Sequence, residues 1–420
     1  MVLNAAVQML REAEELKQNI LKFKSETSML QERNLWSLQQ QLQKIYQKVL
    51  VLDLDYALDK KVEQDLWNVG FKQQIEALQA ISKDRKNPLR SEGAAMLSWV
   101  LQAAAGFYLC LLHQICTAFK LDLPFRRRAS LLGWVEGWSP APAPAGPILP
   151  PPAAARYICQ HCLVHLGDLA RYRQQPRVAY TFYRHALVVS PHSGQPYNQL
   201  ALLARRRGRR LGAIYWHVRA ILVRAPFPPA PANLTRTLQD AAGQVPPVAP
   251  ALLPGRAAVT PAVVPPRDAH AYVTLLIRAV RDIHTGERLE AAEQLVETLN
   301  TSLTSLVATD SFESMTLIKM VCVIIWLVHT TTEDLTATEQ ALSDSEAAAA
   351  ALSQTLAVGA LLALLLPSHT AESPLDRALP ALKVCLEWVA QHPVLVASAP
   401  FAARPQFWHA LRAHAQQTAQ

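Results

Sequence analysis

The segment YICQHCLVHLGDLARYR, Tyr157–Arg173, holds two cysteines spaced C-x-x-C, two histidines, and then Asp168, Arg171, Tyr172 and Arg173. Such a set could bind a metal, form a redox couple, or place a polar group at a helix surface. A structural zinc site needs four converging ligands, usually from two separate pairs. No second C-x-x-C or H-x3-H lies within reach in the sequence. A redox C-x-x-C usually opens a helix after a strand, and no strand pattern precedes this one. The two cysteines therefore read as packed thiols, and no metal or cofactor is expected.

At 100° per residue, Ile158, Cys159, Cys162, Leu163, Leu166, Leu169 and Ala170 share one apolar sector. Gln160, Val164, Asp168 and Arg171 take the other side, with His161, His165 and Tyr172 beside them. This places the cysteines in a core and the histidines mostly outside it. Arg171 lies one residue from Tyr172 and three from Asp168, the spacing at which an acid can hold an arginine in place. Residues 157–224 contain eleven arginines, no lysine and one acid. Arginine's planar fork suits bidentate contact with phosphate. The run RRRGRR, Arg205–Arg210, reads as a solvated basic hairpin tip or a nuclear-import patch.

The elements that must carry these residues are helices. The chain has 420 residues, 14 glycines against 29 prolines, half its residues hydrophobic, and a formal charge of +8. Low glycine with long runs of Ala, Leu, Gln and Glu indicates an all-α fold. The charge points to an anionic partner. Six cysteines are too few for a disulfide scaffold and read as reduced core residues. The charged N-terminus is not a signal peptide. The most apolar runs, 320–328 and 355–366, are shorter than the ~20 residues of a membrane span, so buried helices and no membrane partner are expected.

Residues 2–82 read as long amphipathic helices, with Asn4 as a candidate cap. Leu35, Leu38, Leu42, Ile45, Tyr46, Val49 and Leu50 form a helical stripe. A break is expected before Pro88, then an apolar helix over about 91–120 that includes Gly106. Asp65, Asn68, Lys72 and Glu76 fall in one narrow sector, which puts Lys72 on a polar face. Leu163, Leu166, Gly167, Ala170, Ala179, Tyr183, Ala186 and Pro191 fit tetratricopeptide spacing. A shift of 34 residues gives Tyr197, Leu200, Ala201, Ala204, Ala213, His217, Ala220 and Ala225. The organisation expected is a helical-hairpin unit over 1–225 with a Pro/Ala-rich loop at about 139–154, a proline-rich linker over 226–266, and further helices over 267–420.

The motifs YQKVLVLDLDYALDKKVEQDLWNVGFKQQI (46–75), AAAGFY, DLPFR, YICQHCLVHLGDLARYR and GQPYNQLA (194–201) closely resemble the SMG-seven-type adaptors of nonsense-mediated mRNA decay, in the wider Est/SMG family. The match is dense over about residues 1–225 and weaker at LPALKVCLEWVAQHPVL, 379–395. The resemblance implies a 14-3-3-like domain followed by an α-helical hairpin domain. It implies phosphoserine binding by Lys72 and Arg171, with Asn198 and Tyr172 as lesser contacts. The partners it implies are the phosphorylated Upf RNA helicase, a second 14-3-3-like SMG adaptor as heterodimer, and phosphatase or mRNA decay factors. A cytoplasmic location with shuttling to the nucleus goes with it. The long C-terminal tail by which the family recruits decay factors has no counterpart in these 420 residues.

Three functions are thus in competition. The leading one is a non-enzymatic phosphoserine-reading adaptor. The second is a telomere- or RNA-associated nucleic-acid-binding helical-repeat protein, which would want aromatic platforms among the basic groups. Tyr172, Tyr183, Tyr215 and Trp216 lie near, and repeat packing accounts for several of them. The third is an enzyme, for which the sequence supplies no P-loop, nucleophile motif, metal quartet or clustered acids on an α/β core.

Overall fold

The computed structural model describes residues 2–23, 33–123, 151–243, 265–337, 343–370 and 377–418. Every regular element among them is helical. One isolated bridge joins Ser193 to Ala225. Two compact units emerge, Met1–Gln199 with Val223–Ala225, and Leu200–Leu222 with Pro226–Gln420.

In the first unit α1 (Val2–Leu21) pairs with α2 (Arg33–Leu52). Helix α1 begins two residues before Asn4, so Asn4 sits within it and does not cap it. The expected stripe on α2 is buried, with Leu38 partly exposed. Asp53 caps α3 (Leu54–Asp59) by accepting from the Tyr56 amide at 3.1 Å. Helix α4 (Val62–Trp67) runs into one π-helical turn, Asn68–Lys72, and on into α5 (Gln73–Lys83). Gln43 of α2 donates to the Gly70 carbonyl inside that turn at 2.7 Å. Lys17 of α1 reaches Asp65 of α4 at 2.7 Å.

After the break, α6 (Arg90–Ala118) packs on α5 and on α7 (Pro152–Tyr172). Pro152 opens α7, where a missing N–H costs no helical bond. The loop expected at about 139–154 lies mostly outside the described residues; its last three positions belong to the start of α7. Helices α7 and α8 (Pro176–Val189) form the first tetratricopeptide-like hairpin. Gly167 is what lets them close: a Cβ there would overlap the Tyr183 ring. All of the second set of repeat positions except Ala225, which lies exposed beyond the helices, falls on α9 (Gly194–Arg206) and α10 (Arg210–Leu222). Tyr197, Leu200, Ala201, Ala204, Ala213, His217 and Ala220 are all buried there.

The second unit adds α11 (Ala230–Gly243), α12 (Ala269–Thr285), α13 (Leu289–Ala308), α14 (Ser314–Ala337) and α15 (Asp344–Thr370). It closes with α16 (Leu379–Gln391), two single turns, α17 (Pro393–Val396) and α18 (Ala399–Ala402), and α19 (Pro405–Thr418). Helix α11 corrects the expectation that 226–266 is all linker. Leu234 and Leu238, one turn apart, are both 1% exposed, and this pair anchors the helix against α10. Pro229 and Pro231 stand at its start, where proline is tolerated. Helix α13 packs closely on α15 because residue 359 is glycine; a Cβ there would overlap the Asn300 side chain.

Three helices are long and apolar enough to cross a membrane by length and composition: Arg90–Ala118, Ser314–Thr332 and Asp344–Pro367. They are longer than the short apolar runs read from the sequence. Helices α14 and α15 spend that apolarity on the second unit's core, where Met320, Ile324, Leu327, Leu356, Leu361 and Leu364 are buried. Helix α6 does not: about a third of its apolar window is buried, and Trp99, Ala103, Gly106 and Leu109 are exposed.

Candidate anion-binding site

Helix α7 is buried on all sides from Ile158 to Ala170. This corrects the expected polar face. Gln160, His161, His165 and Asp168 are 3%, 8%, 3% and 4% exposed, so the histidines share the interior with the cysteines. The reason is position. Helices α6 and α8 flank α7, and α3 and α4 also pack on it, so no side of the helix is left to solvent over these residues.

The interior explains each titratable group on α7. Burial raises the Cys162 thiol, and nearby Cys116 adds to the effect. Cys116 and Cys159 bring their Sγ atoms to 4.0 Å. Burial drives His161 well below the usual imidazole range, and its Nε2 lies 3.1 Å from the Glu63 carbonyl. His165 stacks on Trp67 with centroids 3.9 Å apart. Burial lowers His165 too; Asp168 opposes this and Lys72 adds to it. Among the described residues no three His, Cys, Asp or Glu side chains gather as metal ligands would.

Asp168 is the buried charge that needs pairing. The Tyr183 hydroxyl donates to its Oδ1 at 2.7 Å, and Arg171 Nη2 donates to the same oxygen at 3.1 Å. Arg171 Nε also donates to the Tyr183 hydroxyl at 3.4 Å. His165 Nδ1 stands 3.6 Å from Oδ2. Burial alone would raise the Asp168 carboxyl. His165, Arg171 and Tyr183 outweigh it and hold the group below the usual carboxylate range. Burial likewise works against the Arg171 charge, and Asp168 and Tyr183 more than restore it.

Arg171 is therefore a braced fork. Its guanidinium carbon lies 4.7 Å from the Tyr172 ring centroid, and its side chain is 23% exposed against 6% for Asp168. A guanidinium has five N–H donors, and the inward bonds use two of them. The outer edge of the guanidinium borders Tyr172 and is partly open to solvent.

Lys72 closes the π-helical turn, with its side chain 42% exposed and its Nζ 3.8 Å from Glu76 Oε1. Its charge is felt at His165, and that of Glu76 at Tyr172. Lys72 thus lies within charge range of His165, three residues before Asp168 on α7, and Glu76 within range of Tyr172. Asn198 sits on α9 and is 3% exposed, which leaves little of it for a ligand. Sequence spacing missed two parts of this arrangement. Tyr183 fitted the repeat pattern as a packing residue, and its hydroxyl role shows only once α8 folds onto Asp168. The π-helical turn adds a residue to the helical register at Lys72, which the regular helical sector drawn through Asp65, Asn68, Lys72 and Glu76 does not contain.

Stacked helical hairpins packed around α7 define an all-α helical-repeat fold of the 14-3-3-like type. The family described as "Est1 DNA/RNA binding domain" matches residues 179–419, and that described as "Telomerase activating protein Est1" matches residues 61–177. The chain belongs to the Est1 family. It is 49% identical over 239 residues to the nonsense-mediated mRNA decay factor SMG7 of Danio rerio, covering 57% of this chain and 20% of that protein. It is 31% identical over 217 residues to SMG5 of Homo sapiens, covering 49% and 20%. It thus spans about a fifth of the length of these relatives. The solved "Structure of the C. elegans SMG5-SMG7 complex" superposes with a TM-score of 0.61 at 18% identity, covering 94% of this chain and 86% of that one. "Crystal structure of Est1 and Cdc13" does so at 0.60 and 12%, covering 94% and 79%. These two likenesses establish the fold.

The buried histidines set a pH dependence. Their folded values lie below the ordinary 6.5, so their contribution is present above that pH and is lost as pH falls toward the folded values. The melting temperature should fall as pH drops from about 6.5, before the carboxylate range is reached. His161→Phe with His165→Phe should make that limb shallower in thermal melts, with His217 and His284, also lowered by burial, keeping the remainder. A decline that begins only below pH 4 would contradict it.

Proposed function

We propose that the chain is a non-enzymatic phosphoserine-binding adaptor of nonsense-mediated mRNA decay. In this reading it recognises the phosphorylated Upf RNA helicase and links it to decay or dephosphorylation factors. The observation that carries the reading is Arg171, braced by Asp168 and Tyr183 and partly open to solvent. A phosphate has about −1.5 to −2 charges and three strong acceptors at neutral pH. One pre-organised fork with one mobile ammonium, that of Lys72, matches that demand. Tyr172 stacks under the fork, and Asn198 has a lesser part. The chain's similarity to the decay factors SMG7 and SMG5 supports the pathway. The cytoplasm, with nuclear shuttling, is the setting this function would require.

A second SMG-type adaptor is the proposed partner, and α6 is its proposed docking face. Trp99 and Leu109 are 51% and 50% exposed. No heavy atom lies within 4 Å of where a Cβ on Gly106 would point, so Gly106 does not serve internal packing.

Nucleic-acid binding is a second reading, favoured by one observation. Arg205, Arg206, Arg207 and Arg209 are exposed at the turn between α9 and α10, with Arg205 tied to Asp240. The matched family's description also names DNA and RNA.

Titration with phosphorylated and unphosphorylated Ser-Gln peptides of the helicase separates the readings. Phosphorylation should raise affinity, and Lys72→Glu or Arg171→Glu should each cost about 1.5–3 kcal/mol, roughly tenfold to a hundredfold. Equal binding of both peptides would sink the site. RNA that binds more tightly than phosphopeptide, with a steep salt dependence lost on removal of the arginine cluster, would favour the second reading. For α6, Gly106→Arg should leave the melting temperature unchanged and abolish co-purification with an SMG5-type partner. Undiminished pairing would exclude this face.

A further inference from the structure

A cavity of about 410 Å³ lies within the first unit between α2, the π-helical turn, α5 and α6. This is within the range of about 300–1,000 Å³ usual for ligand pockets. Its walls are aromatic: Trp36 and Trp99 meet edge to face at 5.7 Å, and Phe71 and Phe107 lie 5.1 Å apart. Five glutamines share the lining: 39, 40, 43, 47 and 74. Two of these side chains are committed, Gln43 Nε2 to the Gly70 carbonyl and Gln47 Nε2 to Gln114 Oε1, both at 2.7 Å.

Gln39 and Gln74 are different. They are 1% and 2% exposed, and neither Gln39 amide atom nor Gln74 Nε2 has a hydrogen-bond partner. An unpaired buried amide costs stability that a leucine at the same place would not. Such a cost at the wall of a ligand-sized cavity is one that a bound molecule reaching these amides would relieve.

We infer that this cavity is a recognition pocket for an uncharged, carboxamide-bearing peptide segment of a protein partner. Gln39 offers one donor and one acceptor side by side, the complement of a primary or secondary amide. The aromatic walls suit an apolar side chain next to that amide. Lys44 is the one charged residue in the lining, and no arginine is present, which favours a neutral ligand over a phosphate-bearing strand. Trp99 and Ala103 line the pocket and are exposed on the α6 face, so its mouth opens onto that face beside Gly106 and Leu109. This pocket and the Arg171 site share no residue.

The test uses the whole chain with 15N-labelled tryptophan and blocked tripeptides. Acetyl-leucyl-glutaminyl-leucinamide should shift the indole N–H signals of Trp36 and Trp99. The glutamate analogue should bind at least tenfold more weakly. Gln39→Leu should remove the glutamine preference while its melting temperature stays level or rises. Trp99→Ala, at an exposed position, should also weaken the peptide at least tenfold and leave the fold intact. Equal binding of both peptides, no shift with either, or a Gln39→Leu protein that melts several degrees lower would overturn the proposal. Uridine binding more tightly than the glutamine peptide would overturn it in favour of a nucleobase. In the Gln39→Leu chain, phosphopeptide affinity should be unchanged, so failure here and failure of the Arg171 site are read separately.

Discussion

The bond from the Tyr183 hydroxyl to buried Asp168 governs the rest of the candidate site. A carboxylate 4% exposed must be paired to remain charged. Tyr183 can reach it because Gly167 lets α8 lie against α7. Once Asp168 is charged, Arg171 has a fixed counter-ion on its inner edge, and Tyr172 supports its plane. An otherwise flexible side chain is thereby delivered to the surface in one orientation. That lowers the entropy cost of gripping an anion. In the proposed function, packing and ligand binding would therefore share one contact: the hairpin that closes around Gly167 also orients the arginine.

Much of the fold was legible because helical periodicity and repeat spacing report burial directly. The positions at 163, 166, 167, 170, 179, 183 and 186, and their counterparts 34 residues on, proved to be interior. Arg171 with Asp168 was legible from an i,i+3 spacing on one helix. What failed was any inference that polarity implies exposure. Gln160, His161, His165 and Asp168 looked like an outer face and lie inside, because helix neighbours on every side are a tertiary fact that one helix's pattern does not contain. Proline content misled in the same way at α11, where two leucines one turn apart decide the structure over 230–243.

The apolar helices show why composition alone cannot assign a role. Helices α6, α14 and α15 have similar apolarity. Two of them use it in a core, and the third leaves Trp99, Leu109 and the space before Gly106 uncovered. In the proposed function, the braced arginine on one helix and the open apolar face on another are the two separate places at which one unit would hold partners.

The central claim is that Asp168 acts on ligand binding through Arg171. A double-mutant cycle on phosphoserine-peptide affinity tests it most directly, using Asp168→Asn, Arg171→Lys and the two together. Coupled residues in one network typically interact by about 0.5–3 kcal/mol, and a value in that range is expected. Two effects that simply add, to within about 0.3 kcal/mol, would show that the buried carboxylate does not set the arginine and would contradict the account.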